Sequence, residues 1–257
     1  MNRVQKLIVA AAAVVFVIAV GLFGFLKYRQ YQNQQRMEEL RRMGRLLSDV
    51  EVSVELPEEV VIPIDFAEVR KENEDIIAWL EVPGTEVDYP ILQSKPEMEE
   101  DFYLEHNLDG SGGYPGCVYI QKLNQADFTD AVTVVYGHNM RNGSMFAGLH
   151  AYEDRDFFEQ NNMFHIYTPT TAQTYHVIAA VNYDDRLIPA YFQNFATAND
   201  VNAFLDDLYS FGESERNHFL QDKRINGTDH FVVLSTCTAN SSSRWLVVGV
   251  LEEDLER

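Results

Sequence analysis

Phe231-Val-Val-Leu-Ser-Thr-Cys-Thr-Ala-Asn-Ser-Ser-Ser-Arg-Trp-Leu-Val-Val-Gly-Val250 is the stretch on which the fold turns. Two apolar, β-branched runs flank a short cluster of Thr, Ala, Asn and Ser, the composition of two strands joined by a tight connection. Upstream, similar short runs recur at Val87–Gln93, Gly116–Gln121, Ala131–Tyr136, Phe164–Tyr167 and Tyr175–Tyr183. Turn-forming clusters such as Asp109-Gly-Ser-Gly-Gly113 and Arg141-Asn-Gly-Ser144 separate them. Helical patterning is sparse. Asp65 can cap a short helix that runs into a strand ending at Pro83-Gly84, and a second helical insertion covers Met145–Gln160. A third covers Asp200–Phe211, where Val201, Phe204, Leu205 and Leu208 form an i, i+3, i+4, i+7 stripe. Many strands and few helices predict a mostly β domain over residues 64–257: a closed barrel of about eight strands with peripheral helices.

The N-terminal part is of a different kind. Leu7 to Leu26 is a run of 20 residues without a charged side chain, about 30 Å as a helix, the thickness of a bilayer's hydrocarbon core. The run ends in Gly-Phe-Leu-Lys-Tyr-Arg29 rather than a small-x-small cleavage site, so residues 1–29 are expected to be a short tip and a retained transmembrane anchor. Arg3 and Lys6 on one side are balanced by Lys27, Arg29 and Arg36 on the other, so charge alone does not orient it. Residues 30–63 are expected to be a stalk and linker. A polar helix occupies 30–47, and an extended segment with Val50, Val52, Val54, Pro57 and Pro63 covers 48–63.

Charge excludes one class of partner. The 257 residues carry 40 Asp+Glu against 20 Lys+Arg, and only 3 of those acids but 8 of those bases lie in the first 50 residues. So acidic a domain repels phosphate backbones, and nucleic acid is not expected as a partner. A 46% hydrophobic content excludes a wholly disordered chain.

Two cysteines are present. For an extracellular pair, counting favours a disulfide. Local context points elsewhere. Cys117 sits within the strand Gly116-Cys-Val-Tyr-Ile120, where a small thiol is an ordinary packing residue. Cys237 closes its apolar strand at the border of a polar loop, a place rigid on one side and open on the other. Arg244 opens the next strand, and antiparallel pairing brings it close to Cys237 across the mouth, although a lone Arg there is more often a solvated edge charge. Among the seven histidines, His106, His150, His165, His176, His218 and His230 read as surface or packing residues, and none has metal-ligand spacing. His138 differs because it ends the strand Val132-Thr-Val-Val-Tyr-Gly-His138, with Gly137 removing a side chain beside it. A Cys, a His and an Arg at strand ends suit nucleophilic acyl transfer: a thiolate formed with an imidazole, and a donor for the oxyanion. Neither a metal nor a cofactor is expected.

Thr133-Val-Val-Tyr-Gly-His-Asn-Met140 with Gly143-Ser-Met-Phe146, Leu234-Ser-Thr-Cys237 and Ser243-Arg-Trp-Leu-Val-Val248 resembles the sortases, surface transpeptidases of Gram-positive bacteria. The stretch Tyr136-Gly-His-Asn-Met140 to Gly143-Ser-Met-Phe146, the N-terminal helical extension of the domain, the Asp200–Phe211 helix and Phe102-Tyr-Leu-Glu-His-Asn-Leu-Asp-Gly110 resemble class B in particular, and the resemblance runs from about residue 64 to the end. It implies a sortase-like barrel with Cys237 as nucleophile, His138 as general acid/base and Arg244 as oxyanion donor. Ser235, Thr236 and Asn139 would face the substrate. That substrate would be a surface protein bearing a C-terminal sorting signal of Asn/Ser-Pro-x-Thr type, cut after Thr, with an amine of the peptidoglycan precursor or a pilin Lys as acceptor. The enzyme would be a single-pass membrane protein with its N-terminus cytoplasmic and its catalytic domain outside. Two other readings compete. One is a Cys/His peptidase with water as acceptor, although Arg244 stands where a papain-like enzyme would want an Asn or Asp orienting the His. The other is a tethered binding domain with a Cys117–Cys237 disulfide.

Overall fold

Nine strands form one sheet. A computed structural model describes residues 3–45, 62–220, 224–240 and 242–255. The strands are β1 (Ile76–Glu81), β2 (Asp88–Gln93), β3 (Val118–Ile120), β4 (Val132–Tyr136), β5 (Met163–Tyr167), β6 (Ala172–Asp184), β7 (His218–Phe219), β8 (Phe231–Cys237) and β9 (Ser243–Leu251). Neighbours in the sheet follow the order β5-β1-β2-β3-β4-β8-β9-β6-β7. Pairing of β5 with β6 closes eight of them into a barrel, and two-residue β7 takes the remainder of the β6 edge. The mostly β, closed eight-stranded architecture expected from the sequence is the one observed. β7 was not anticipated, because two residues are too few to show a period of two.

Closing the sheet gives it an inside and an outside. Leu80, Tyr89, Val118, Val135, Phe164, Val177, Leu234 and Val247, from all eight barrel strands, meet in one buried cluster. Alternate residues of β4, β6, β8 and β9, such as Val134, Val181, Val233 and Leu246, form a second cluster on the outer face. Helix α5 (Ala198–Ser210) covers that outer face with its buried stripe Val201, Phe204, Leu205 and Leu208. Its start is fixed by a capping box, in which the Thr197 hydroxyl accepts from the Asp200 N–H and the Asp200 carboxylate accepts from the Thr197 N–H.

The remaining helices are shorter than their sequence pattern suggests. Asp65 caps α2 (Phe66–Val69) by accepting from the Glu68 N–H at 3.0 Å. Helical pattern over Met145–Gln160 divides into a 3-10 helix, Phe146–Glu153, and α3 (Arg155–Gln160). Asp154 breaks the run because its backbone is extended while its side chain accepts from the Phe157 N–H at 2.9 Å, starting a new helix. A short helix, α4 (Ile188–Tyr191), lies between β6 and α5.

The chain divides into two compact units, 1–40 and 41–257. The expected apolar run and the expected polar helix belong to one continuous helix, α1 (Arg3–Gly44), which is long and apolar enough to cross a membrane. The extended segment expected over residues 48–63 lies outside the described residues except for its last two.

Gly249 of β9 packs closely in the barrel interior: a Cβ there would lie 2.5 Å from the Phe164 ring and 2.9 Å from the Tyr175 Cβ. Gly249→Ala should cost about 1–3 kcal/mol by overpacking. A thermal melt should then show a fall of about 2–4 °C for each kcal/mol lost.

Candidate active site

β4 and β8 run parallel, with Tyr136 opposite Ser235 as their last paired residues. Two residues further on, in the same register, stand His138 and Cys237. On the other side β8 pairs antiparallel with β9, and there Cys237 is directly opposite Arg244. The three expected residues therefore occupy adjacent strand ends at one level. They share the alternation of Val134, Val233 and Leu246, which places them on the outer face of the barrel. All three line a cleft of about 210 Å³, together with Tyr136 and Ser235.

Each side chain has a definite environment. Cys237 is exposed and free, whereas Cys117 is buried and free. Burial pushes the Cys117 thiol up, with the nearby Asp109 charge adding to it, so its reactive thiolate is suppressed. With both sulfurs unbridged, the disulfide-bonded binding domain falls. The His138 Nε2–H donates to the Leu104 carbonyl at 2.8 Å, which leaves Nδ1 as the ring's lone-pair nitrogen. Burial lowers the His138 pKa below the ordinary value, against smaller opposing effects of the Leu104 hydrogen bond and the Glu105 charge. Tyr114 lies against the imidazole with ring centroids 4.9 Å apart. The Arg244 Nη1 donates to the Ser243 carbonyl at 3.0 Å.

Leu104 reaches His138 because Gly116 makes room. With φ +67, Gly116 occupies a conformation that favours glycine, and a Cβ there would lie 2.3 Å from the Leu104 carbonyl oxygen. Gly137 has a different reason from the one its sequence position suggested. A Cβ there would lie 2.8 Å from the Phe146 ring on the inner face, so it makes room for core packing rather than for the imidazole.

The residues expected to face the substrate divide three ways. Ser235 shares the Cys237 face and lines the cleft. Thr236 turns inward, its hydroxyl donating to the Gly137 carbonyl at 2.7 Å, which leaves its backbone and not its hydroxyl at the cleft. Asn139 lines a neighbouring cavity of about 550 Å³, and its amide donates to the Cys237 carbonyl at 2.9 Å and to His150 Nε2 at 2.9 Å.

Sequence reasoning missed one wall of the cleft. Asp184–Ile188 continues from β6, where Tyr183 pairs with Arg244 and Asp184 with Ser243, and lines the cleft; Arg186 clamps it by donating to both Asp184 oxygens and to Asp207 of α5. Nothing in the sequence pattern placed this segment near Cys237. The papain-like arrangement also lacks its third member here, because Asn139 bonds to Cys237 and His150 while the His138 ring is held by a main-chain carbonyl.

An eight-stranded barrel with Cys, His and Arg on adjacent strand ends defines a sortase-type cysteine transpeptidase. No protein-family model matches the sequence. The curated sortase B of Listeria monocytogenes is 31% identical over 174 residues, 67% of each chain, and sortase B of Staphylococcus aureus is 24% identical over 239 residues, 91% of each chain. A solved structure described as a Staphylococcus aureus sortase B–substrate complex superposes with a TM-score of 0.70 at 23% identity, covering 86% of this chain and 96% of that one. This chain belongs to the sortase B family.

Two measurements follow from the geometry. Limited treatment with iodoacetamide and peptide mapping should label Cys237 well before Cys117. An NMR titration should give His138 a midpoint below the 6.5 of an unperturbed histidine. Because folding favours the neutral ring, its contribution to stability is complete above about pH 6.5 and is lost as pH falls from there through the lower folded value. A midpoint at or above 6.5 would contradict the burial account.

Proposed function

We propose that this chain is a membrane-tethered transpeptidase that cuts the C-terminal sorting signal of surface proteins after a Thr. It then transfers the acyl group to an amine of a cell-wall precursor or of a pilin Lys. The observation that carries this reading is the in-register row of His138, Cys237 and Arg244 along one cleft. The neutral resting state of His138 defines the order of proton movements. The Cys237 S–H gives its proton to the imidazole, and the resulting thiolate attacks the scissile carbonyl carbon. The carbonyl electron pair moves to oxygen, where the Arg244 guanidinium stabilises the charge. As that pair returns, the C–N bond breaks, the imidazolium protonates the leaving amine, and a thioester remains on Cys237. An incoming amine attacks the thioester, gives its proton to His138 and releases the thiolate.

Tethering supports the reading, since both substrates are attached to the membrane while being processed. Helix α1 is long and apolar enough to serve as the anchor. In this reading the N-terminus lies inside and the catalytic domain outside. A bound sorting peptide would lie against Ser235 and the Asp184–Ile188 wall.

Transfer of a fluorogenic sorting peptide to oligoglycine tests the assignment. Cys237→Ala should form neither thioester nor product, and His138→Ala should lose turnover. Arg244→Ala should lose about 100- to 1000-fold in rate, the usual cost of an oxyanion donor. All three should melt close to the parent, because strand-end residues at a cleft add little to the core. An Arg244→Ala protein with near-parent transfer, or a parent that releases only hydrolysed peptide in the presence of oligoglycine, would favour the peptidase instead.

A further inference from the structure

The parallel ladder between β4 and β8 continues past its main-chain bonds. The Gly137 N–H donates to the Ser235 carbonyl at 3.2 Å, and in a parallel pair the next rung runs from residue 139 to the carbonyl of residue 237. By that point the β4 backbone has turned to another partner: the Phe146 N–H donates to the His138 carbonyl at 2.9 Å, and Asn139 forms an antiparallel bridge with Met145. The Asn139 side chain supplies the rung in its place, Nδ2 donating to the Cys237 carbonyl at 2.9 Å.

Hydrogen-bond chemistry fixes what stands behind it. A carbonyl oxygen only accepts, so the amide must present its NH₂ to Cys237. The second hydrogen of that NH₂ goes to His150 Nε2 at 2.9 Å, which must therefore be the bare nitrogen of a neutral ring. The proton sits on His150 Nδ1, which donates to the Glu153 Oε1 at 2.6 Å. Arg216 holds both Glu153 oxygens, with its Nε 2.8 Å from Oε2 and its Nη2 on Oε1. The His150 ring lies over the Trp245 indole, centroids 5.7 Å apart, and that indole N–H donates to the Leu149 carbonyl at 2.9 Å. Burial raises the Glu153 pKa, but the hydrogen bonds from Arg216 and His150 outweigh it and keep the carboxyl below its ordinary range. The carboxylate therefore remains an acceptor for Nδ1–H, and the tautomer is held.

We propose that Asn139 and His150 are positioning residues of the transpeptidase: the Asn139 amide, oriented by His150, holds the Cys237 main chain in register beside His138. The proposal rests on the reading that Cys237 is the nucleophile. It assigns Asn139 to the enzyme's own backbone instead of to the substrate.

The test uses the full chain in detergent and the variants Asn139→Ala, His150→Leu and His150→Gln. It reads kcat and KM for peptide transfer, the rate of Cys237 alkylation by iodoacetamide, and the melting temperature. Asn139→Ala and His150→Leu should lower kcat by about 10- to 100-fold, the scale of a small misplacement of a reacting group. KM should stay within about twofold, since the residues do not touch the peptide. Cys237 alkylation should slow in parallel, with melting temperatures near the parent. His150→Gln should restore most of both rates, because a carboxamide can accept from Asn139 and donate to Glu153 as the neutral ring does. A raised KM at unchanged kcat would make Asn139 a substrate contact and overturn the proposal. Parent-like rates in either loss variant would also overturn it, as would losses that Gln fails to rescue and that track a lowered melting temperature. Alkylation distinguishes the two levels of inference. If the parent transfers no peptide, yet alkylation slows in the loss variants and recovers with Gln, the positioning chain stands and the transpeptidase reading fails.

Discussion

Main-chain hydrogen bonds along β4, β8 and β9 bring His138, remote in the chain, to the same level of one face as Cys237 and Arg244 of the β8–β9 hairpin. Side chains alternate along a strand, so a slip of one residue in either pairing would turn one member of the row into the barrel interior. Burial on both sides prevents that slip. Val232 and Leu234 are committed to the inner cluster and Phe231 and Val233 to the outer one, and neither set can exchange places without exposing or crowding the other. The chemistry is thus registered by packing, and the polar residues at the strand ends inherit their places from the apolar ones before them.

Positioning then has to cope with the end of the ladder, where main-chain pairing stops and reactive groups begin. Side chains and one carbonyl take over. Thr236 bonds back to the Gly137 carbonyl, Asn139 to the Cys237 carbonyl, and the Leu104 carbonyl holds the His138 ring. Arg186 does the same for the wall beyond Arg244 by joining the end of β6 to α5. Each of these bonds contributes modest net stability, about 0.5–1.5 kcal/mol. Their effect is on where atoms stand.

How much of this was legible from the sequence depended on whether the information was local. The apolar, β-branched runs Phe231–Thr236 and Ala131–Tyr136 are written in consecutive residues, so those strands and the places where they end could be read directly. The α5 stripe was equally plain, because Val201, Phe204, Leu205 and Leu208 repeat at helical spacing. Arg186 and Leu104 could not be read, because their roles arise from contacts between distant segments and, for Leu104, involve a main-chain atom that any residue carries. His150 was read as a surface or packing residue for the same reason: its spacing from Glu153 is common in helices, and only the fold shows Asn139 beside it. Thr236 adjoins Cys237 in the chain and belongs to the same cleft, but alternation along the strand turns its hydroxyl to the Gly137 carbonyl, a contact the sequence does not show.

Gly116 carries no functional group, yet the open space beside it lets the Leu104 carbonyl reach the His138 imidazole. Substitution there would shift the Leu104 oxygen before it touched any reacting atom, and the damage would register as an altered proton affinity at a residue 22 positions away. The region in which a change of residue can silence the enzyme is accordingly wider than its set of chemical groups. Reading variants of this chain by their distance from Cys237 alone would pass such positions as neutral.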